Sequence, residues 1–421
     1  MKQNNSLIKS LSIYTGANIL NAAAPFLLLP LLTRYLSPAD FGIVAMFQVI
    51  LSFILPFSGL NAEGAVSRQY FEKDKIDLPT YIGNAFILLF TGSVIVLLTL
   101  LLFGKNVESL TSFPFGWMGI IGLCAAGQNI SEIGLALWQV QYRAFHYALF
   151  RIARTISDIG ISVFLVVYLK KNWEGRIEGQ FISTIVFSVL TLIILYNGKW
   201  IRLKINKAYM INCLEFGIPL IPHVVGAIII AMSDRIFITR MVGLSEAGLY
   251  AAGYQIGMII GLFQNSFNQA WVPWFYEKLK QKNEKTNLNI VKFTYAYFIV
   301  ILAGAGLLSL IAPSLCTYFL GKDFSSAEIY VFWISLGFAF NGMYKMVVNY
   351  FFYIQKTYMV SVITFITAGL NIFLNYCFIK MNGAIGAAQA TMISFFVQFL
   401  LVWSISTRAY HMPWLFFLHK K

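Results

Sequence analysis

Long apolar stretches recur along this chain, and the segments between them are too short to form a soluble domain. Twelve stand out, at roughly residues 11–32, 40–62, 80–103, 115–140, 150–169, 179–197, 211–233, 246–270, 290–312, 328–350, 358–379 and 384–407. A helix needs roughly 20 mostly apolar residues to cross a bilayer core of about 30 Å. Only 11% of the residues are charged, against about 25% in a soluble domain. The sequence therefore predicts an all-α integral membrane protein with about twelve transmembrane helices.

The basic residues provide an independent test of the number of spans. If the N-terminus is cytoplasmic, 21 of the 31 Lys and Arg residues fall in inner segments, nine fall in outer segments, Arg176 among them, and Lys345 lies within a span. Cytoplasmic loops of membrane proteins carry an excess of Lys and Arg. A missed or extra helix would invert this bias in the loops that follow. We therefore expect both termini to be cytoplasmic, and the basic loops account for the net charge of +14 without a nucleic-acid partner.

An internal repeat divides the chain into two halves. The stretch TRYLSPADFG (33–42) resembles TRMVGLSEAG (239–248) at an offset of 206, and EGRIEGQFIST (174–184) resembles NGAIGAAQATM (382–392) at an offset of 208. Six helices is an even number, so both halves begin and end on the same side of the membrane. This predicts two parallel six-helix bundles, residues 1–205 and 210–421.

Polar residues form stripes inside the first, second, seventh and eighth predicted spans. The members of each stripe are mostly three or four residues apart, so they share one helix face. They could line a water-filled lumen between the two halves, or they could join neighbouring helices. Four stripes on repeat-equivalent helices favour the lumen. The candidate lining residues are Asn18, Asn21, Gln48, Tyr254, Asn265 and Asn341, the last of which lies in the tenth span.

Charges inside the predicted spans are the sharpest functional signal, because a charge is costly in lipid. Lys345 lies in the middle of the tenth span, one turn from Asn341 and Asn349. It requires water, an acidic partner or an anionic ligand, and a structural ion pair is the alternative to a substrate contact. Arginine suits phosphate oxygens, although each arginine could be a topology anchor instead. The candidates for a cationic substrate site are Lys345, Arg235, Arg143, Arg154, Arg34 and Arg240.

Four acids are candidates for coupling transport to H⁺ or Na⁺: Glu132, Asp158, Glu215 and Asp234. Asp158 lies one turn from Arg154. In the alternative to a coupling role, Arg154 simply neutralises Asp158. The four cysteines form no CxxC or Cys/His cluster, so no metal site is predicted. The chain also lacks a phosphate-binding GxxxxGK[ST] loop and the HExxH and GxSxG motifs. We therefore expect a transporter without a bound cofactor rather than an enzyme.

Three segments resemble a known transporter family. LTRYLSPADFGIVAMFQVI (32–50), EFGIPLIPHVVGAIIIAMSDRIFI (215–238) and VGLSEAGLYAAGYQIGMI (242–259) resemble the polysaccharide transporter family, which comprises Wzx-type O-antigen flippases and is related to MATE drug exporters and lipid II flippases. The resemblance extends through both halves. It implies a MATE-like fold around a central cavity in a bacterial inner membrane. The implied partner is an oligosaccharide on undecaprenyl pyrophosphate, moved from the cytoplasmic to the periplasmic leaflet by alternating access.

Two other functions remain as alternatives. A MATE-like, cation-coupled exporter of small molecules would have the same architecture, but acids would dominate its lumen, and Lys345 and the arginines argue against it. A membrane enzyme of polysaccharide assembly would need acidic motifs in a sizeable loop. The longest predicted connections are only about 17–20 residues. Other membrane proteins of polysaccharide assembly are candidate partners of the chain in the flippase reading.

Overall fold

The computed structural model describes residues 2–281, 283–354 and 356–414, with side chains except those of residues 2–15, 19 and 357. Helix is the only regular secondary structure in these ranges. The helices are α1 (Lys2–Tyr35), α2 (Pro38–Gly59), α3 (Ala62–Tyr70), α4 (Leu78–Thr111), α5 (Met118–Val140), α6 (Ala144–Val163), α7 (Asn172–Asn197), α8 (Lys207–Gly217), α9 (Ile221–Met241), α10 (Leu244–Lys280), α11 (Glu284–Phe319), α12 (Glu328–Tyr353), α13 (Thr357–Asn382) and α14 (Ile385–Ala409). The chain ends predicted to be cytoplasmic, residue 1 and residues 415–421, lie outside the described ranges.

Every predicted span corresponds to a helical segment. Within the described ranges, ten segments are long and apolar enough to cross a membrane, with α8 and α9 together forming one of them. The predicted spans at 150–169 and 246–270 are also helical, in α6 with the π turn that follows it (Phe164–Tyr168) and in α10. They are less apolar because charged and amide residues interrupt them. The chain is a multi-pass membrane protein.

The same order of helix pairing recurs in the two halves. In the first, α5 packs against α2, α4 and α7, and α6 packs against α7. In the second, α12 packs against α10, α11 and α14, and α13 packs against α14. The compact units formed by these contacts are Met1–Ile228 and Ile229–Lys421. The helix α8 belongs to the first unit, where it packs against α3 and α4.

The turns that carry the sequence repeat occupy equivalent places but have different local chemistry. Two residues separate α1 from α2, and two separate α9 from α10. In the first turn, Ser37 and Asp40 form a capping box in which each side chain accepts a hydrogen bond from the other's backbone N–H. In the second, Gly243 has φ +144°, which favours glycine, and Glu246 accepts a hydrogen bond from Tyr330 at 2.8 Å. The repeat therefore conserves the position of the acid but not its partner.

The end of α8 packs closely against the residues that precede α3. Asn61 Nδ2 donates to the carbonyl oxygen of Gly217 at 3.0 Å, and a Cβ on Gly217 would lie 1.8 Å from the carbonyl oxygen of Leu60. Only glycine fits this approach. A short 3₁₀ turn at Ile218–Leu220 follows, and α9 continues from it.

Candidate functional site

An arginine–carboxylate pair joins α6 to α7 in the first unit. Arg176 donates to both carboxylate oxygens of Asp158, at 2.6 and 3.2 Å, and to Ser162 Oγ at 2.8 Å. The Arg176 side chain is 11% exposed and that of Asp158 is 25% exposed. The sequence suggested Arg154 as the neutralising partner of Asp158. Arg176 takes that place because α7 begins early enough to bring it beside α6.

Arg154 lies closest to a different acid. Its Nη1 is 3.9 Å from Glu132 Oε1 on α5, a long ion pair in which the Glu132 side chain is 42% exposed. Ser183 Oγ on α7 donates to the carbonyl oxygen of Arg154 at 3.1 Å. Two of the four candidate coupling acids, Glu132 and Asp158, therefore each have an arginine partner on another helix.

The polar residues predicted on α1 contact α6. Tyr147 OH donates to Asn18 Oδ1 at 2.9 Å, and Thr155 Oγ1 donates to Asn21 Oδ1 at 3.0 Å. Arg151 Nη1 in turn donates to Tyr147 OH at 2.5 Å. These bonds agree with the alternative in which amides join helices. Asn18 nevertheless remains an exposed residue and Asn21 a half-buried one.

Gln48 on α2 has a counterpart that the sequence analysis missed. Its Nε2 donates to Gln180 Oε1 on α7 at 2.6 Å. Gln180 belongs to the repeat segment 174–184, and it lies one turn from Arg176 on the same face of α7. The Gln48–Gln180 pair and the Asp158–Arg176 pair therefore lie one after the other along that face of α7.

A second charge cluster lies on α9 and α10 in the second unit. Asp234 accepts hydrogen bonds from Tyr250 OH and from the backbone N–H of Arg235 at 2.8 Å. Arg235 Nη1 is 3.3 Å from Asp234 Oδ1, and its guanidinium lies 4.3 Å from the centre of the Tyr254 ring. Asp234 is only 1% exposed and Arg235 is 8% exposed. The ionic pair is thus enclosed by tyrosines, and Tyr254 contributes its aromatic face to it.

Buried amides and hydroxyls are linked to Ser233, the residue that precedes Asp234 in α9. Ser233 Oγ donates to Asn371 Oδ1 at 3.2 Å, and Asn375 Nδ2 donates to the same atom at 3.0 Å. Two buried oxygens, Asn375 Oδ1 and Thr391 Oγ1, have no hydrogen-bond partner among the described residues. The sequence analysis did not identify this cluster, although Asn371 and Asn375, one turn apart in an apolar span, were the signal available.

The predicted site lysine belongs to a row of amides between α10 and α12. We call this row the amide ladder; it comprises Gln264, Asn265 and Asn268 on α10 and Asn341, Lys345 and Asn349 on α12. Lys345 Nζ donates to Asn265 Oδ1. Gln264 Nε2 donates to Asn341 Oδ1 at 3.0 Å, and Asn349 Nδ2 donates to Asn268 Oδ1 at 3.3 Å. On α12 the three rungs are one helical turn apart, and their partners on α10 all fall within about one turn, so the ladder is a polar strip between two packed helices.

Lys345 is half-buried in this ladder. Within the described part of the chain, no carboxylate oxygen lies within 4.0 Å of its ammonium group. Gln264 Oε1 is buried and has no hydrogen-bond partner there. The amides therefore position Lys345 without neutralising it, which leaves a positive charge available to an anion.

The remaining predicted residues lie at the ends of helices. Arg34 and Arg240 occupy the last turns of α1 and α9, and Arg143 immediately precedes α6. All three are exposed, as is Glu215 on α8. These positions suit the topology-anchor alternative for the arginines.

Comparison with known sequences gives one family match and several relatives. The chain matches the polysaccharide biosynthesis protein family over residues 7–279. An uncharacterized membrane protein of Haemophilus influenzae is 31% identical over 364 residues, 85% of this chain and 86% of that protein. A probable low-salt glycan biosynthesis flippase of Haloferax volcanii, Agl15, is 22% identical over 91% of this chain and 80% of that protein.

Solved structures share the helix arrangement. An inward-facing multidrug resistance MATE family transporter superposes with a TM-score of 0.74 at 15% identity, covering 96% of this chain and 97% of that one. The lipid II flippase MurJ, in an inward closed conformation, also gives 0.74, at 17% identity and covering 94% and 87%. At such low identity the likeness establishes the fold alone. The predicted all-α, MATE-like fold is confirmed.

Proposed function

Because the chain belongs to the polysaccharide biosynthesis protein family, we propose that it is a flippase for an oligosaccharide linked to undecaprenyl pyrophosphate. It moves an O-antigen unit or a similar polysaccharide repeat from the cytoplasmic to the periplasmic leaflet of a bacterial inner membrane, by alternating access. The names of two relatives in fold or sequence, the lipid II flippase and the probable glycan biosynthesis flippase, support a lipid-linked glycan as the substrate class. The chain acts as a transporter rather than an enzyme.

The observation that carries the proposal is the position of Lys345 in the amide ladder. Its ammonium group is bonded to Asn265 and has no carboxylate partner within the described ranges. A pyrophosphate needs a cation, and sugar hydroxyls need amide donors and acceptors. The ladder supplies both chemistries along one strip.

The arginines inside the helices are less available for a phosphate. Arg176 is held by Asp158, Arg235 by Asp234 and two tyrosine rings, and Arg154 is shared with Glu132. A single flexible ammonium also holds a phosphate less firmly than a bidentate arginine does, and a transported substrate must be released. Lys345 is therefore the residue assigned to the pyrophosphate.

The experiment is a substitution series at Lys345. Export of the surface polysaccharide is measured in a strain that depends on this chain, together with flipping of the undecaprenyl-pyrophosphate oligosaccharide by the purified protein in liposomes. Lys345→Arg should retain transport. Lys345→Gln should reduce it roughly 10- to 100-fold, the equivalent of one charge-assisted hydrogen bond, and Lys345→Glu should abolish it.

The matched control is Lys380→Gln, which removes a lysine from an exposed position in the last turn of α13 and should leave transport unchanged. Protein levels in the membrane must be equal across the series. Full transport by Lys345→Glu would refute the pyrophosphate contact. Efflux of a cationic dye by liposomes that do not flip the glycan would instead favour the MATE-like exporter.

We also propose that Asp234 couples transport to H⁺ or Na⁺. Of the four candidate acids, Glu132 and Asp158 have arginine partners on other helices, and Glu215 is exposed. Asp234 pairs with Arg235, its neighbour in the same helix. Asp234 is 1% exposed, and its neighbour Ser233 donates to Asn371, which also accepts from Asn375. The buried Asn375 Oδ1 has no hydrogen-bond partner among the described residues. A proton or a small cation that neutralises such a site changes its local electrostatics directly.

A further inference from the structure

An apolar groove lies on the first unit between α4, α5 and α7. Its volume is about 510 Å³. Phe86, Leu89 and Phe90 form its α4 wall, Ala126 and Ile130 its α5 floor, and Leu192, Ile193 and Tyr196 its α7 wall. We call it the α4–α7 groove.

The position of the groove along its helices places it in one leaflet. On α4 the lining runs from Phe86 to Ser93, which is about 12 to 22 Å from the start of the helix at 1.5 Å per residue. On α7 it occupies only the last two turns, from Leu192 to Asn197. The half-thickness of the hydrocarbon core is about 15 Å. The groove therefore opens into the leaflet next to the end of α7.

The segment 198–206 contributes Ile201 and Leu203 to one end of the groove, its mouth, and α4 holds this segment in a fixed position. The backbone N–H of Arg202 donates to the carbonyl oxygen of Pro79 at 3.0 Å. Asn84 Nδ2 donates to the carbonyl oxygen of Lys204 at 2.8 Å, and Asn84 Oδ1 accepts from the N–H of Asn206 at 2.9 Å. A Cβ on Gly83 would lie 2.1 Å from the carbonyl oxygen of Arg202. The segment is thus pinned closely against α4.

This segment places positive charge beside apolar lining. Ile201 and Leu203 line the groove, and Lys199, Lys204 and Lys207 are exposed around them. In the described ranges none of the three lysines has a carboxylate within 4.0 Å. The positive charge at the mouth is therefore uncompensated by the protein.

We propose that the α4–α7 groove binds one acyl chain of an anionic phospholipid of the bilayer, with the phosphate held by Lys199, Lys204 and Lys207. At roughly 30 Å³ per small group, the volume of a liquid water molecule, the groove holds about 17 methylene-sized groups, which is one fatty acyl chain. An undecaprenyl chain is several times larger. The groove is therefore too small to enclose a whole undecaprenyl chain, and the proposed ligand is a bilayer phospholipid rather than the transported molecule.

The test uses the full-length chain purified in detergent and native mass spectrometry with palmitoyl-oleoyl-phosphatidylglycerol. The matched neutral lipid is palmitoyl-oleoyl-phosphatidylethanolamine. Each lysine near an anionic headgroup contributes roughly five-fold to binding, so Lys199→Gln, Lys204→Gln and Lys207→Gln together should lower the preference for phosphatidylglycerol about 100-fold. Ala126→Phe, which fills the groove floor, should lower binding of both lipids at least about tenfold.

The control for Ala126→Phe is Ala303→Phe, an equal enlargement at an exposed position on α11 among lipid-facing residues. The control for the lysine triple variant is a second triple variant that combines Lys278→Gln, Lys280→Gln and Lys285→Gln. Ala126→Leu keeps the test usable if the phenylalanine variant does not fold, and it should weaken binding partially. Equal binding of the two lipids by the unmodified chain, unchanged binding by Ala126→Phe or Ala126→Leu, or displacement of phosphatidylglycerol by undecaprenyl phosphate would each overturn the proposal.

Discussion

Replacing Arg176 by leucine should destabilise the first unit strongly, because it leaves a carboxylate without its cation. Arg176 makes two hydrogen bonds to Asp158, at 2.6 and 3.2 Å, and a third to Ser162 Oγ. Breaking a buried ion pair from one side costs about 3–5 kcal/mol. The Asp158 side chain is 25% exposed and keeps a hydrogen bond from Ser162 at 3.4 Å. The expected loss in the free energy of unfolding is therefore at the lower end, about 3 kcal/mol.

The assay is a double-mutant cycle of unfolding in SDS, followed by tryptophan fluorescence of the purified chain. The double variant Asp158→Leu with Arg176→Leu removes both charges and should be more stable than either single variant, because no unpaired charge remains. The control pair is Lys171 with Glu178, which is 2.7 Å apart near the start of the same helix, with side chains 41% and 27% exposed. Breaking it should cost at most about 1 kcal/mol. A loss for Arg176→Leu no larger than that for Lys171→Leu, or a double variant as unstable as the sum of the single ones, would refute the reasoning.

Two further predictions concern acids. Burial raises the pKa of Glu63, in α3 beyond the end of the second span, above its ordinary value because desolvation disfavours the carboxylate. The contribution of Glu63 to folding stability is therefore most favourable at low pH and falls as the pH rises through the folded-state pKa. Glu63→Gln should stabilise the protein at neutral pH and flatten the pH dependence of SDS unfolding, and an unchanged profile would contradict this. Asp234→Asn should make glycan flipping in liposomes insensitive to an imposed H⁺ or Na⁺ gradient. Glu215→Gln is its exposed control and should keep the dependence, and a gradient response retained by Asp234→Asn would rule out that coupling role.

The positions of the long apolar helices could be predicted from sequence because a bilayer imposes one length and one composition on every span. The apolar run predicted at 179–197 nevertheless begins later than α7, which starts at Asn172. Arg176 therefore counted as a loop charge, although it lies inside a helix and is 9% exposed. A hydropathy scale cannot detect such a residue, because Arg176 can be buried only when it pairs with Asp158 on another helix.

The candidate site was predictable as a set of residues but not as a set of partners. Periodicity placed Asn341 and Asn349 beside Lys345 on one helix, yet the ammonium bonds to Asn265, 80 positions earlier in the chain. Likewise Asn18 and Asn21 share a face, but the hydrogen bonds that define what this face contacts come from Tyr147 and Thr155 on α6. Contacts between helices depend on packing that no spacing within one helix encodes.

The two halves share one order of helix pairing but use different side chains in it. The pairing is therefore required by the fold, whereas the side chains can vary with the substrate. In the first half, ion pairs between carboxylates and arginines join α5, α6 and α7 alongside amide contacts such as Gln48–Gln180. On α10 and α12 the polar contacts are amides around one lysine. A duplicated scaffold of this kind has two copies that can diverge separately. The second copy can acquire new specificity on α10 and α12 through point substitutions, while the ion pairs of the first continue to hold its helices together.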